Sequence, residues 1–416
     1  MANIREKIKE RLSFLKNKKE NPPINIESGT EQKKNMIQNI KEFWQGKKKI
    51  FLLAGIAIIL LAVGVYRYYL TKKVFTEYNT ISISETADIA NSEYLAFGEY
   101  LIRYTLDGIS CLDKKGSLIW GQAYEIKAPI VDICGDYVTV AAQRENSIYV
   151  FNKSGFQGEI STLYPIIDIK VARQGVVAVV MEESGTSYIK MYDVYDVGDE
   201  ELITIKSDLE GRGYPFAIAL SPDGKKLVIS SLNLTNNKIE NMIEFYNFSE
   251  VGQNYEEKLV GTFSEFADSL IPEVAFINDT TVCAFTEDQI AIFYIKEIPE
   301  LLLTIPLEGE VKSVFYDNKY LGIIMPDNES AFDSLFIYDI NGNCILEKQL
   351  YQDFKNIYFW ENNVVLYNSY TCQIIGFDGT IRLDYTFDND IALLKPVSYT
   401  NFVWASSSFI SEIHLK

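Results

Sequence analysis

The side chains that could carry chemistry are few and far apart. His414 is the only histidine and stands third from the C-terminal end. Any Ser-His-Asp or Cys-His device would depend on it alone, and a histidine at a strand end reads as structural. Cys111, Cys134, Cys283, Cys344 and Cys372 contain no CxxC spacing, so a zinc centre has no support. Four of them lie in apolar strand contexts and read as small core residues. Cys344 follows the turn Asn341-Gly342-Asn343 and has one candidate partner, Cys372; fewer than two disulfides are expected. The oxygen-rich candidates are Asp193, Asp196 and Asp199, running into Glu200 and Glu201, and the pair Asp388 and Asp390. Such ligands could suit calcium, but solvated turns are the usual meaning of such runs. Asp339 to Asn343 imitates the start of a calcium loop, but Cys344 and Leu350 stand where glycine and glutamate would be needed. No phosphate-cradling glycine loop is present. Catalytic residues and cofactors are therefore expected to be absent, although so many acids also create carboxylate pairs of glycosidase type by chance.

These residues sit in a chain whose two parts differ in charge. Residues 1–49 hold 13 basic and 6 acidic side chains, whereas residues 74–416 hold 23 basic and 51 acidic, a net charge of -28. That surplus excludes a nucleic-acid binder and favours cationic partners. With 47% hydrophobic residues the chain can bury a core, which excludes global disorder.

The boundary is Ile50 to Tyr66, seventeen residues without a charge and with Leu60 near the centre. As a helix they cover about 25 Å, and Arg67 can snorkel while Tyr68 to Leu70 extend the span. Trp44 and the tyrosines resemble interfacial belts. A cleaved signal peptide would begin nearer the start and end in small residues; here Arg67-Tyr68-Tyr69 follows. The expectation is an uncleaved signal anchor over 50–71 in the lipid bilayer. Basic residues ahead of it keep a cytoplasmic tail, 1–49, inside and place 75–416 outside. In the tail, Ile4, Ile8, Leu12 and Leu15 mark a short basic amphipathic helix, and Ser28 with Glu31 caps a second over about 31–45.

From residue 75 onward, short runs rich in Val, Ile, Tyr, Phe and Thr alternate with Gly, Asn and Asp turns. An aromatic or leucine followed by Asp or Asn recurs at Leu112-Asp113, Phe151-Asn152, Tyr192-Asp193, Tyr246-Asn247, Tyr338-Asp339 and Phe377-Asp378, with Tyr294-Ile295 as a degenerate copy. The mean spacing of about 44 residues is that of a four-stranded propeller blade. The aromatic supplies inter-blade contact and the Asp or Asn suits a turn. The units are 93–123, 129–163, 165–206, 214–263, 271–305, 309–350 and 353–387, with 389–415 as a blade lacking one strand. Residues 77–84, EYNTISIS, supply that strand and close the ring. An all-β, eight-bladed propeller follows, with seven blades as the alternative.

Asp107 to Trp120, DGISCLDKKGSLIW, resembles the repeat of pyrroloquinoline-quinone-type propellers, and Leu220 to Ser230, LSPDGKKLVIS, is similar to WD-type and Tol-type blades. The whole plan resembles a family of single-pass, membrane-anchored propellers from Gram-positive anaerobes, a resemblance that brings no established activity. A quinone dehydrogenase of the first type would require a vicinal cysteine pair, and no two cysteines here are adjacent.

The expected function is a protein-interaction or scaffold module of the cell envelope whose partner is another envelope or membrane protein. Two alternatives stay open. One is an extracytoplasmic hydrolase or lyase using loop carboxylates; the other is a sensor coupling ligand binding outside to the basic tail. Carboxylates converging in the channel would favour the enzyme, and an apolar plug would favour the scaffold.

Overall fold

The computed structural model describes residues 52–70, 72–86, 92–195, 203–208, 212–235, 238–326 and 332–416. Ile50, the tail helices, Asp196 and Asp199 lie outside the described residues. The chain divides into two compact units, 1–70 and 71–416. In the first, Leu52–Leu70 forms a helix apolar on every side, with exposed side chains that include Leu60, Tyr66 and Tyr68.

The second unit is an eight-bladed propeller: eight sheets, each of four antiparallel strands. Seven blades are continuous in sequence, at 93–123, 129–161, 166–208, 214–263, 273–306, 313–350 and 356–386. Strands within each blade are lettered A to D outward from the axis. Blade eight takes A to C from Leu393–Pro396, Asn401–Ala405 and Phe409–Leu415, and its D strand from Tyr78–Glu85. Tyr78 pairs with Leu415 and Glu85 with Phe409, with one bulge between Thr80 and Ser82. The closing strand thus runs one residue later than its expected 77–84.

Alternation builds the core. Val176–Glu183 and Thr281–Phe285 are B strands buried on both sides, because blade faces pack on neighbours in both directions. The third-strand aromatic faces the preceding blade. Phe151 lies parallel to Trp120 of blade one with ring centroids 5.2 Å apart. Blade five corrects the expected marker: Tyr294 is exposed, whereas Phe293 is buried against Phe245 and Phe263 of blade four. Adjacent residues of a strand point to opposite faces, so the aromatic contact moves back by one position.

Each C-to-D corner also docks on the D strand of the blade before it. Gly155, at φ +110°, would place a Cβ 3.6 Å from Trp120, and a Cβ on Gly158 would lie 2.5 Å from Val194 of the next blade's corner. Blade eight has no such hairpin, since its C strand ends the chain and its D strand begins the propeller. Residues 72–77 replace it. Phe75 is 4% exposed within the aromatic core of blades seven and eight. Its N–H donates to the Arg382 carbonyl, the Thr76 N–H donates to the Lys416 carbonyl, and the Lys416 N–H donates to the Glu77 carbonyl. The Lys72 ammonium reaches Asp378 at 2.5 Å.

Two tests follow from this split corner. Phe75→Ala should destabilise the propeller by about 3 kcal/mol, the cost of truncating a buried aromatic, read as a lower midpoint in urea; an unchanged midpoint would show that the corner does not hold the ring. The hydrogen bond from Lys72 leads the causes that hold the Asp378 carboxyl down at about 2, with Arg382 beside it. A depressed folded value means stability present above the unfolded value of about 4 and lost as pH falls through 2. The melting-temperature gap between wild type and Asp378→Asn should therefore close over that window; a constant gap contradicts the pairing.

Candidate functional site

Antiparallel connection assigns every turn to a face. B-to-C turns and the links from each D strand to the next A strand form the upper face. A-to-B turns and C-to-D corners form the lower face, which also receives both ends of the propeller chain at Lys72 and Lys416.

The lower corners use their Asp and Asn side chains internally. Asp113 Oδ1 accepts the N–H groups of Lys115 and Ser117 at 2.8 Å. Asn152, Asp193, Asn247 and Asp378 each accept the N–H two residues on, at 2.7, 3.0, 3.0 and 3.2 Å. Asp339 accepts from Asn341 and Asn343, both at 2.9 Å, so this calcium-loop mimic is a hairpin turn. Asp390, on the link into blade eight, is occupied in the same way by Ser406 Oγ and by Ser407 N and Oγ, at 2.9 to 3.0 Å. Among the described residues no group of three or more potential ligands could hold a metal ion. Across the lower mouth Arg173 of blade three grips both oxygens of Asp279 of blade five at 2.6 Å.

The axial channel is polar, with charges that the linear sequence scatters. Asp132 belongs to the A strand of blade two, Pro129–Cys134, and Asp168 and Lys170 to that of blade three, Ile166–Val171. Glu273 opens the A strand of blade five and Tyr316 closes that of blade six. Tyr316 donates to Glu273 Oε1 at 3.0 Å, and Lys170 stands 3.8 Å from Asp168. Burial pushes the Glu273 carboxyl above its ordinary range, against the opposing effects of Tyr316 and Lys170. Burial likewise raises Asp132, although the Val171 N–H donates to it at 2.6 Å. The charges of Lys170 and Asp168, on the A strand of blade three, also bear on Glu273 of blade five.

The upper face is acidic and apolar. Leu106, Leu163, Leu270, Tyr351 and Tyr370 stand exposed on its turns. The B-to-C hairpin of blade four, Lys226–Thr235 with Lys238–Asn247, is the longest, and its cross-strand pair Leu234 and Ile239 is exposed. Phe332 packs edge-on against Tyr351 at 5.1 Å. Exposed acids surround them, including Asp107, Glu183, Glu265, Glu287, Glu308 and Asp353, the last paired with Lys312 at 2.7 Å, and the same face carries the exposed bases Lys127, Arg144, Lys238 and Lys355. At the rim of the channel, Glu93, Tyr104, Thr105, Leu106 and Pro129 line a cleft of about 300 Å³ between blades one and two.

The family model described as "Family of unknown function (DUF5711)" matches residues 71–415. The chain belongs to that family. No curated protein matches it. Among solved structures it is similar to BamB from Moraxella catarrhalis, at 12% identity and a TM-score of 0.50, over 81% of this chain and all of that one. It is also similar to Sqt1 from Chaetomium thermophilum bound to the N-terminus of the ribosomal protein L10, at 11% identity and 0.53, over 81% and 99%. Both likenesses show the propeller fold.

In this family member the lone histidine is part of blade eight, with His414 Nδ1 2.7 Å from Asn401 Oδ1. All five cysteines are free; Cys111, Cys283 and Cys372 are buried and Cys344 is exposed. The channel groups and the upper cleft escaped sequence reasoning. Their one linear signal is a charge inside an apolar strand, as in PIVDIC and PIIDIKV.

Glu273 supplies a test of the channel. A raised folded pKa means that the native state holds the proton more tightly, so stability falls as pH rises from about 4.5 towards neutrality. Glu273→Gln keeps an acceptor for Tyr316 without the charge. It should melt at an equal or higher temperature at pH 7 and flatten that slope; a lower melting temperature with the slope intact would place the carboxyl in solvent.

Proposed function

We propose that this protein is a single-pass membrane protein that presents its propeller outside the cytoplasm as an interaction module of the cell envelope. The observation that carries the reading is the upper face, where exposed apolar side chains from most blades stand among acids. Apolar side chains left exposed on the turns of one face, here with the adjacent pairs Leu234 with Ile239 and Phe332 with Tyr351, offer a partner surface to bury. The propeller's closing strand begins, and its last strand ends, on the lower face, on the opposite side from these exposed apolar groups. The all-round apolar helix Leu52–Leu70, with Arg67 near its end, suits lipid, and the basic residues of 1–49 favour a cytoplasmic N-terminus. The net charge of residues 74–416 favours a cationic protein partner and disfavours nucleic acid. A propeller of similar fold, Sqt1, holds the N-terminal segment of another protein. One observation favours a second reading, a carboxylate-dependent hydrolase or lyase: the raised Glu273 carboxyl hydrogen-bonded to Tyr316 in the channel.

Crosslinking and affinity capture from native membranes test the first reading. Wild-type protein should retain an envelope or membrane protein that the pair Leu234→Asp and Ile239→Asp releases, with the propeller still folded. Equal recovery by both would remove the upper face from the interaction. For topology, protease added to wall-stripped cells should digest the propeller and spare residues 1–49; a propeller released during growth without residues 50–66 would refute the anchor.

A further inference from the structure

The cleft between blades one and two differs from the open acidic surface around it, because its walls are held before anything binds. Thr105 is tied to Gly108, and Tyr124 and Ile126 of the inter-blade link donate to the carbonyls of Asp107 and Leu106 at 3.0 and 2.9 Å. Leu106 and Pro129 therefore form a fixed apolar wall. Opposite them Tyr104 donates its hydroxyl to Glu93 Oε2, which orients the carboxylate and leaves Oε1 without a hydrogen-bond partner among the described residues. Burial and Glu93 both raise the Tyr104 pKa, so the phenol stays a donor. Beside it, buried Tyr124 stacks on Tyr149 at 5.7 Å, and its hydroxyl has no partner.

We propose that this cleft is a socket for one basic side chain, arginine or lysine, of the partner protein. The inference rests on the interaction reading and names its chemistry. A volume of about 300 Å³ is small for a cofactor and suits an aliphatic stem lying on Leu106 and Pro129 with its cationic head at Glu93. A carboxylate already fixed by a neighbouring donor binds a cation without first being ordered, so less of the interaction is lost to entropy. The exposed acids of neighbouring turns attract basic segments from a distance, while the cleft accepts one side chain.

The test uses the full-length chain in detergent micelles and pools of short randomised peptides with one fixed central residue: arginine, lysine, citrulline or leucine. Mass spectrometry of the retained peptides should show the arginine or lysine pool enriched about tenfold over the citrulline and leucine pools. Glu93→Gln should abolish that enrichment and Tyr104→Phe should reduce it, whereas Glu297→Gln, at an exposed corner of the lower face, should leave it intact. Circular dichroism shows that each variant is folded. Enrichment that survives Glu93→Gln would be diffuse attraction to an acidic surface and would overturn the socket, as would equal retention of all four pools. If the membrane partner is still captured in full by Glu93→Gln protein, the socket falls and the interaction reading stands. If wild type captures no partner, the interaction reading itself falls.

Discussion

Everything in the propeller depends on the pairing of Tyr78–Glu85 with Phe409–Leu415. Without it blade eight has three strands, its C strand is an open edge, and the ring has a gap through which solvent reaches the faces of blades seven and one. The entropy of joining segments more than three hundred residues apart grows only logarithmically with the length enclosed. A modest number of good contacts therefore suffices to close the ring. They are concentrated at the seam: Tyr78 stacks on Phe387 at 5.3 Å, and Trp404 meets Phe387 at 4.7 Å and Phe409 at 4.8 Å. Phe75 then supplies the corner that every other blade makes from a covalent hairpin.

The repeat asks little of any one residue. Each blade needs alternating apolar side chains, an aromatic or leucine turned to the blade before it, and a corner that bends sharply enough to dock there. Many residue combinations meet those terms, which is why a chain only 11 to 12% identical to BamB and Sqt1 can share their fold. Turn residues on the upper face are under no such constraint, and that freedom lets an acidic, apolar surface form on a common frame. Rigid strands position it, as loops on a rigid scaffold usually carry recognition.

Corner and channel acids thus have different physical states. Asp113, Asp193, Asp339 and Asp378 spend their oxygens on backbone N–H groups two residues on, which closes the turn, and at Asp339 and Asp378 these bonds help hold the carboxyl below its ordinary range. Asp132 and Glu273 have left water for the channel, where burial favours the neutral form. The same side-chain chemistry therefore stabilises the corners and strains the axis.

Sequence alone favoured eight blades over seven and was enough for the blade boundaries to within a few residues and the closing strand to within one, because these follow from local period-two alternation and from turn residues that act within a few positions of themselves. Phe151-Asn152 and Phe377-Asp378 announce their corners without help from the rest of the chain. Blade five escaped by one residue, since Phe293 and Tyr294 are equally good strand aromatics and only packing against Phe245 and Phe263 selects between them. The role of Phe75 as a blade corner was illegible, because its partners in blade seven lie some three hundred residues away. The channel and the cleft were illegible for the same reason. Asp132, Lys170 and Glu273 become neighbours only when separate blades curl around one axis; Glu93 and Tyr104 pair within one hairpin, but Pro129 joins them only from the next blade.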